Sequence, residues 1–168
     1  DVSAIRRYCG SASTPIGLRD SAILLIALDT GLRSCDIVGL KISCIDWKER
    51  CLRITQQKTG VESTFPLETS TCNAIYKYLK DVRRRGTRYD SLFLGINAPF
   101  SPAGRSACRD ALLRAGASTG RTHLARKTFG SMILNSGSSV EETAMMLGHS
   151  DTSTVHKYAS LGSRRSRL

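Results

Sequence analysis

One stretch near the end of the chain decides its fold: residues 121–158 read RTHLARKTFGSMILNSGSSVEETAMMLGHSDTSTVHKY. Apolar side chains recur at helical spacing after residue 123, and the pair Ser136-Gly137 is typical of a helix end. Ser139 and Glu142 form a capping-box pattern, which predicts where the next helix begins. A short third helix is expected over residues 151–159. The stretch therefore predicts a unit of three consecutive helices.

Four chemically useful side chains fall within this unit. His123 and Arg126 lie three residues apart, so both project from one face of a helix. His149 follows the expected end of the second helix, and Tyr158 lies on the third. Each of them alone has an ordinary interpretation: a histidine at a helix terminus, a solvated arginine or a packing tyrosine. Together they indicate a site only if basic residues upstream complete it.

Composition limits the function classes. The chain has 168 residues, enough for one domain or slightly more, and 25 Lys plus Arg against 14 Asp plus Glu give a net charge of +11. This excess favours a polyanionic partner, with nucleic acid as the first candidate. No apolar run approaches the length of a membrane span and no signal peptide opens the chain, so we expect a soluble, cytoplasmic protein without a membrane partner.

Six cysteines are present, and none belongs to a C-x-x-C pair or has a histidine at zinc-ligand spacing. We therefore expect no metal site, and we interpret the cysteines as free thiols in a reducing compartment.

The first half of the chain contributes two further basic candidates. Residues 1–13 lack clear periodicity and are interpreted as a linker from a missing N-terminal DNA-binding domain. Thr14-Pro15 predicts the start of a buried helix that stops at Gly31. Arg33 follows at once. It either pairs with Asp36 on the surface or is held by buried neighbours and aimed at an anion, with Asp36 as a supporting residue.

The hydrophobic period changes over residues 43–67, where three short strands with two turns predict a small antiparallel sheet. Lys58 lies in the second turn, where its long side chain could reach a substrate, although lysines are common in such turns. The helical period returns from Thr69 onward, and another helix is expected from Ser101-Pro102 to Gly116. The fold class is therefore α+β: mainly helical, with a three-stranded antiparallel sheet.

A basic cluster ends the helix that begins at Thr69. Arg83, Arg84 and Arg85 are candidates for contact with the DNA backbone, and Lys127 on the later helix is a fourth. A solvated cationic surface is an equally good interpretation of the arginine cluster.

Taken in order, these motifs resemble those of the tyrosine recombinases, the family of phage and transposon integrases and of enzymes that resolve chromosome dimers. The resemblance covers roughly residues 14–160 and implies a catalytic domain over residues 14–162 followed by a basic tail, 163–168. The residues that carry it are Arg33 in Thr-Gly-Leu-Arg, Lys58 in Gln-Lys-Thr-Gly, His123 and Arg126 in His-Leu-Ala-Arg, His149 in Leu-Gly-His-Ser, and Tyr158 nine residues later.

The resemblance implies a mechanism. Tyr158 attacks a DNA phosphodiester, giving a 3′-phosphotyrosine and a free 5′-hydroxyl. Arg33 and Arg126 stabilise the phosphorane, and His149 adds a hydrogen bond to the phosphate. Lys58 protonates the leaving oxygen and His123 exchanges the tyrosine proton. The scheme requires no metal and no other cofactor.

The resemblance also implies partners: double-stranded DNA, a homotetramer on paired DNA sites that is monomeric when free, and accessory DNA-bending proteins, at the nucleoid of a prokaryote. Two alternatives remain. A type IB topoisomerase uses related residues and reseals the same strand, whereas a non-catalytic DNA-binding module would use only the basic charge.

Overall fold

The long helix α2, Pro15–Thr30, lies at the centre of the computed structural model, which describes residues 2–117 and 123–147. The Thr14 hydroxyl accepts a hydrogen bond from the Gly17 N–H at 3.1 Å, and proline occupies the first turn. Gly31 ends the helix with a φ of 60°, and its N–H donates to the Ala27 carbonyl. Twelve of the sixteen residues of α2 are buried, and the apolar run over residues 22–28 lies entirely in the core, as predicted.

In chain order the described residues form α1 (Val2–Ser11), α2, α3 (Ser34–Val38), a 3-10 turn (Ile42–Cys44), β1 (Ile45–Asp46), β2 (Cys51–Thr55), β3 (Glu62–Pro66), α4 (Thr69–Asp81), α5 (Ser106–Arg114), α6 (His123–Asn135) and α7 (Val140–Met146). Helix α2 packs mainly against α1, α4, α5 and α6, and it also contacts α3 and β3.

The three strands form one antiparallel sheet in the order β1-β2-β3. Leu52 pairs with Ile45 on one side and with Phe65 on the other, so one face of the sheet is apolar and buried. The Phe65 ring meets the Phe129 ring of α6 edge to face, with centroids 6.2 Å apart. The predicted fold class is confirmed, and this contact links the sheet to the helix that carries Arg126.

The N-terminal segment differs from the expectation of a linker. Residues 2–11 form helix α1, which packs on α2 with Ile5 only 1% exposed. The Tyr8 hydroxyl donates to the buried Asp20 carboxylate at 3.1 Å. The linker interpretation is wrong for these residues because their few apolar side chains fall on one helical face and have α2 to cover them. That a DNA-binding domain precedes the chain stays a prediction.

The start of α5 also differs from the prediction. The helix begins at Ser106 rather than at Ser101-Pro102, because the preceding residues make bridge contacts instead. Pro102 forms an isolated antiparallel bridge with Leu94, and the Ala103 N–H donates to the Phe93 carbonyl at 3.0 Å. Residues 92–94 are all buried, and of these three only Leu94 forms a bridge.

Within residues 2–117 and 123–147, no helix is both long enough and apolar enough to cross a membrane. All six cysteines carry free thiols, as predicted; three are buried and three are partly exposed.

Candidate active site

Arg33 lies in the short connection between α2 and α3, where it is the residue that precedes the first turn of α3. Its backbone is extended, with φ −73° and ψ 155°, so Arg33 is not part of either helix. One terminal nitrogen donates to the Gln56 side-chain oxygen at 3.1 Å. The half-buried guanidinium is therefore oriented by the sheet, which supports the interpretation that it is held by buried neighbours.

Asp36 is completely buried in the first turn of α3. One carboxylate oxygen accepts the Gln57 backbone N–H at 2.8 Å. The other has no hydrogen-bond partner among the residues that the structure describes. Asp36 thus fixes the chain at the point where β2 passes into its turn, and its supporting role at the site stays a prediction.

Lys58 occupies the turn between β2 and β3 and is exposed. The turn is closed by the Gly60 N–H, which donates to the Gln56 carbonyl at 2.8 Å. The lysine is thus carried two residues beyond Gln56, the residue that binds Arg33. The turn and the Arg33 segment are neighbours although they are far apart in sequence.

Arg126 lies on α6 with its side chain 3% exposed. Its two terminal nitrogens donate to the Gly31 carbonyl at 2.8 Å and to the Leu147 carbonyl at 2.6 Å. Gly31 is two residues from Arg33. Leu147 is the last described residue, directly after α7, and it precedes His149 by two positions in the sequence. Arg126 therefore joins the Arg33 connection, α6 and the end of α7.

Gly31 is needed for this arrangement. A Cβ atom at this position would lie 2.8 Å from the Phe129 ring and 3.0 Å from Leu147, and the positive φ already disfavours a side chain. The close approach allows the Gly31 carbonyl to reach Arg126.

The structure therefore brings Arg33, Asp36, Lys58 and Arg126 into one region. The backbone of His123 opens α6, whereas its side chain, His149 and Tyr158 lie outside the described residues. The residues that sequence reasoning missed are Gln56 and Gln57. Their only sequence signal is a pair of amide side chains directly before the candidate lysine.

The four residues predicted to contact the DNA backbone differ in exposure. The Arg83 guanidinium is half-buried and donates to the Tyr89, Ser91 and Leu92 carbonyls at 2.8 to 3.2 Å, so it organises a loop of the chain itself. Arg84, Arg85 and Lys127 are exposed, and the Arg84 guanidinium lies 5.7 Å from the centre of the Phe100 ring.

Metal-ligating side chains do not cluster in the described residues: no group of three His, Cys, Asp or Glu is positioned to hold an ion there. Burial raises the pKa of the Cys108 thiol to about 12, which makes this cysteine a core residue rather than a nucleophile.

The family model described as the phage integrase family matches residues 1–164, nearly the whole chain. The chain belongs to the phage integrase family. The match confirms the family expected from the motifs.

Individual relatives within this family agree. A putative integrase/recombinase, y4gC of Sinorhizobium fredii, is 28% identical over 95% of the chain and 85% of its own length. The tyrosine recombinase XerD of Yersinia pestis is 30% identical over 91% of the chain but only 53% of its own length. The chain thus spans about half the length of several curated relatives. These names favour the class of tyrosine recombinases over topoisomerases and over non-catalytic modules.

Solved structures show the same fold. The XerA recombinase superposes with a TM-score of 0.77 at 24% identity, covering 94% of this chain and 57% of that one. The XerH site-specific recombinase bound to palindromic difH substrate gives 0.75 at 17% identity, covering 97% of this chain and 49% of that one.

Proposed function

We propose that this chain is the catalytic part of a site-specific DNA recombinase that cleaves and rejoins strands through a 3′-phosphotyrosine at Tyr158. One observation carries the proposal beyond family membership: Arg126 binds the Gly31 carbonyl, two residues from Arg33, while Arg33 binds Gln56, two residues from Lys58. Two arginines and a lysine, the cations that phosphoryl transfer needs, are thereby tied into one region.

Each cation has a task that its chemistry fits. Arg33 and Arg126 bind the non-bridging oxygens of the scissile phosphate and stabilise the charge that builds on the phosphorane. The carbonyl contacts of Arg126 fix the plane of its guanidinium before substrate arrives. His149 donates a further hydrogen bond to the phosphate.

The covalent step needs no reactant other than the protein and its DNA. The Tyr158 oxygen forms a bond to phosphorus while the bond from phosphorus to the 5′-oxygen breaks. A tyrosine hydroxyl has a pKa of about 10 in water, so His123 accepts its proton during attack. Lys58 gives a proton to the departing 5′-oxygen. Reversal with a 5′-hydroxyl from another strand rejoins the DNA to a new partner, and the same exchange on all four strands completes recombination.

DNA is the proposed partner for two reasons. The net charge of the chain is +11, and proteins of the same fold have been solved in complex with DNA. XerH is bound to difH substrate, and the Tn1549 transposon integrase is in complex with circular intermediate DNA. We assign this chain a homotetramer on paired sites, monomeric when free, assisted by DNA-bending proteins at a prokaryotic nucleoid. The catalytic domain is assigned to residues 14–162, with α1 packed on it, and the basic tail to residues 163–168.

The test is adduct formation on a nicked duplex that carries the protein's own site, because release of a short fragment traps the covalent intermediate. We expect a protein–DNA adduct without magnesium, absent in Tyr158→Phe and retained in the control Tyr76→Phe, whose side chain is exposed on α4. An adduct that persists in Tyr158→Phe would overturn the assignment of the nucleophile. Ligation to a partner duplex separates a recombinase from a topoisomerase, which reseals only the original strand.

A further inference from the structure

The two glutamines before Lys58 contact different parts of the Arg33 region. Gln56 is 1% exposed, and its side-chain oxygen accepts a hydrogen bond from Arg33 at 3.1 Å. Its side-chain nitrogen donates to the Ser63 hydroxyl of β3 at 3.2 Å. A buried amide anchored at one end to the sheet and at the other to a guanidinium restricts where that guanidinium can lie.

Gln57 contacts α3 twice. Its backbone N–H donates to the buried Asp36 carboxylate at 2.8 Å, and its side-chain nitrogen donates to the Cys35 carbonyl at 3.1 Å. A hydrogen bond to a charged acceptor is stronger than one between neutral groups. The residue directly before Lys58 is therefore held to α3 by both its backbone and its side chain.

Gly39 leaves the space for the second contact. A Cβ atom built there would collide with the Gln57 side-chain nitrogen, while the φ of −82° suits any residue. A change at Gly39 can therefore displace the Gln57 amide without altering Gln57 itself.

We propose that Gln56 and Gln57 are positioning residues with separate tasks: Gln56 sets the orientation of Arg33 toward the phosphate, and Gln57 sets the turn that delivers the Lys58 proton. The inference rests on the proposed function, because it assigns Lys58 to the leaving oxygen and Arg33 to the phosphate. A four-carbon lysine side chain has many rotamers, so precise delivery depends on a fixed backbone at its base.

A change in the leaving group separates the two tasks. In ordinary DNA the 5′-oxygen must be protonated as it departs, whereas sulfur in the same bridging position leaves as a thiolate and needs no proton. A variant impaired only in proton delivery therefore recovers on the sulfur substrate. A variant impaired in binding the phosphate charge stays slow on both substrates.

The experiment measures single-turnover adduct formation by the whole protein on matched oxygen and sulfur duplexes. Gln57→Ala and Gly39→Ala are expected to react about tenfold more slowly than wild type on oxygen, about the effect of one lost hydrogen bond, and to return to within about twofold on sulfur. The control Gly10→Ala adds the same methyl group where nothing lies within 4 Å, and wild-type rates are expected. Gln56→Met is expected to stay about tenfold slow on both substrates.

The possible failures are distinguishable. Recovery of Lys58→Ala on sulfur with continued slowness of Gln57→Ala would overturn the task given to Gln57 and leave the proposed function intact. Recovery of Gln56→Met on sulfur, or wild-type rates of either glutamine variant on oxygen, would overturn the separation of tasks. If Lys58→Ala gains nothing from sulfur, the role of Lys58 is wrong and the inference falls with it.

Discussion

At the scale of a single side chain, Arg126 combines structural contacts with a proposed role at the phosphate. Its guanidinium is buried and closes the space between the end of α2 and the residue after α7 through two carbonyl contacts. A buried cation is stable only when such partners compensate for lost hydration. The same contacts that stabilise the fold thus fix a guanidinium that we propose binds the phosphate, and this proposal predicts that stability and catalysis are coupled at this residue.

Replacement of Arg126 by lysine tests this coupling. Lysine keeps the charge but offers no planar pair of donors, so at least one carbonyl loses its partner. We expect Arg126→Lys to lower the free energy of unfolding by about 2 kcal/mol and adduct formation by more than about 100-fold. Urea denaturation and the nicked-duplex assay measure the two effects.

Lys127→Ala, a change at the exposed neighbouring position, is the matched control and is expected to shift stability by less than about 0.5 kcal/mol. An unchanged unfolding free energy in Arg126→Lys would contradict the structural role of the guanidinium.

Cys108 gives a second prediction at residue scale. It is 3% exposed and burial raises its pKa to about 12, from an ordinary value of 9.0. We expect iodoacetamide at pH 8 to label the partly exposed Cys44 at least about 100-fold faster than Cys108, measured by peptide mass spectrometry. Equal labelling of the two thiols in folded protein would show that Cys108 is accessible.

The burial of Cys108 also determines how its contribution to the stability of the protein depends on pH. Folding favours the neutral thiol, so the contribution of Cys108 to stability is complete below about pH 9, where the unfolded thiol is also neutral. It is lost as the pH rises toward about 12.

The sequence predicted the candidate cations because they are carried by short motifs in a fixed order. Arg33 follows a helix stop, Lys58 lies in a turn, and Arg126 is three residues from a histidine. The contacts of Gln56 and Gln57 could not be predicted, because they depend on how β2 is placed against α3. Local spacing identifies a reactive side chain, whereas tertiary packing decides what orients it.

At the scale of elements, α1 is fixed to the domain by a buried charge. Asp20 on α2 is fully buried and accepts two hydrogen bonds from Arg114 of α5, at 2.6 and 3.1 Å, and one from the Tyr8 hydroxyl of α1. Arg19 approaches the same carboxylate at 3.5 Å. Three helices therefore meet at one carboxylate.

Removal of that carboxylate should be costly, since it leaves cations without a counter-charge. We expect Asp20→Ala to lower the free energy of unfolding by about 3–5 kcal/mol, and Tyr8→Phe by about 1 kcal/mol. Asp110→Ala removes a partly exposed carboxylate from a surface pair and is expected to cost less than about 1 kcal/mol. Urea denaturation measures all three, and equal effects of the two aspartate variants would exclude a central role for Asp20.

Helix boundaries show which elements a sequence specifies. The start of α7 could be predicted because Ser139 and Glu142 lie three residues apart in the sequence. In the structure the Ser139 hydroxyl accepts the Glu142 N–H at 3.0 Å, and the Glu142 side chain accepts the Ser139 N–H at 2.9 Å. The start of α5 was not predicted. The bridge between Leu94 and Pro102 lies outside any helix, and it occupies the residues at which Ser101-Pro102 would otherwise begin a helical turn.

At the scale of the whole molecule, the net charge of +11 does not act uniformly. Part of the basic excess is used inside the fold, as in Arg83, Arg114 and Arg126, which donate to carbonyls or to a buried carboxylate. Another part is exposed, as in Arg85 and Lys127. Apart from the two arginines that we propose bind the scissile phosphate, the exposed cations are the ones that can neutralise DNA phosphates and release counterions. Composition alone therefore overstates the charge available to a polyanion.

Arg83 and Arg85 allow a direct test of this division, because they are the same residue type two positions apart. Arg83 donates to three loop carbonyls, so Arg83→Ala is expected to cost about 2 kcal/mol of unfolding free energy and to leave the salt dependence of DNA binding unchanged. Arg85 is exposed, so Arg85→Ala is expected to leave stability within about 0.5 kcal/mol and to reduce the slope of log K against log salt by about 1. Fluorescence anisotropy with a labelled duplex over a salt series measures the slope. A reduced slope in Arg83→Ala at unchanged stability would reverse the division, because it would place the Arg83 guanidinium on phosphate rather than on the loop.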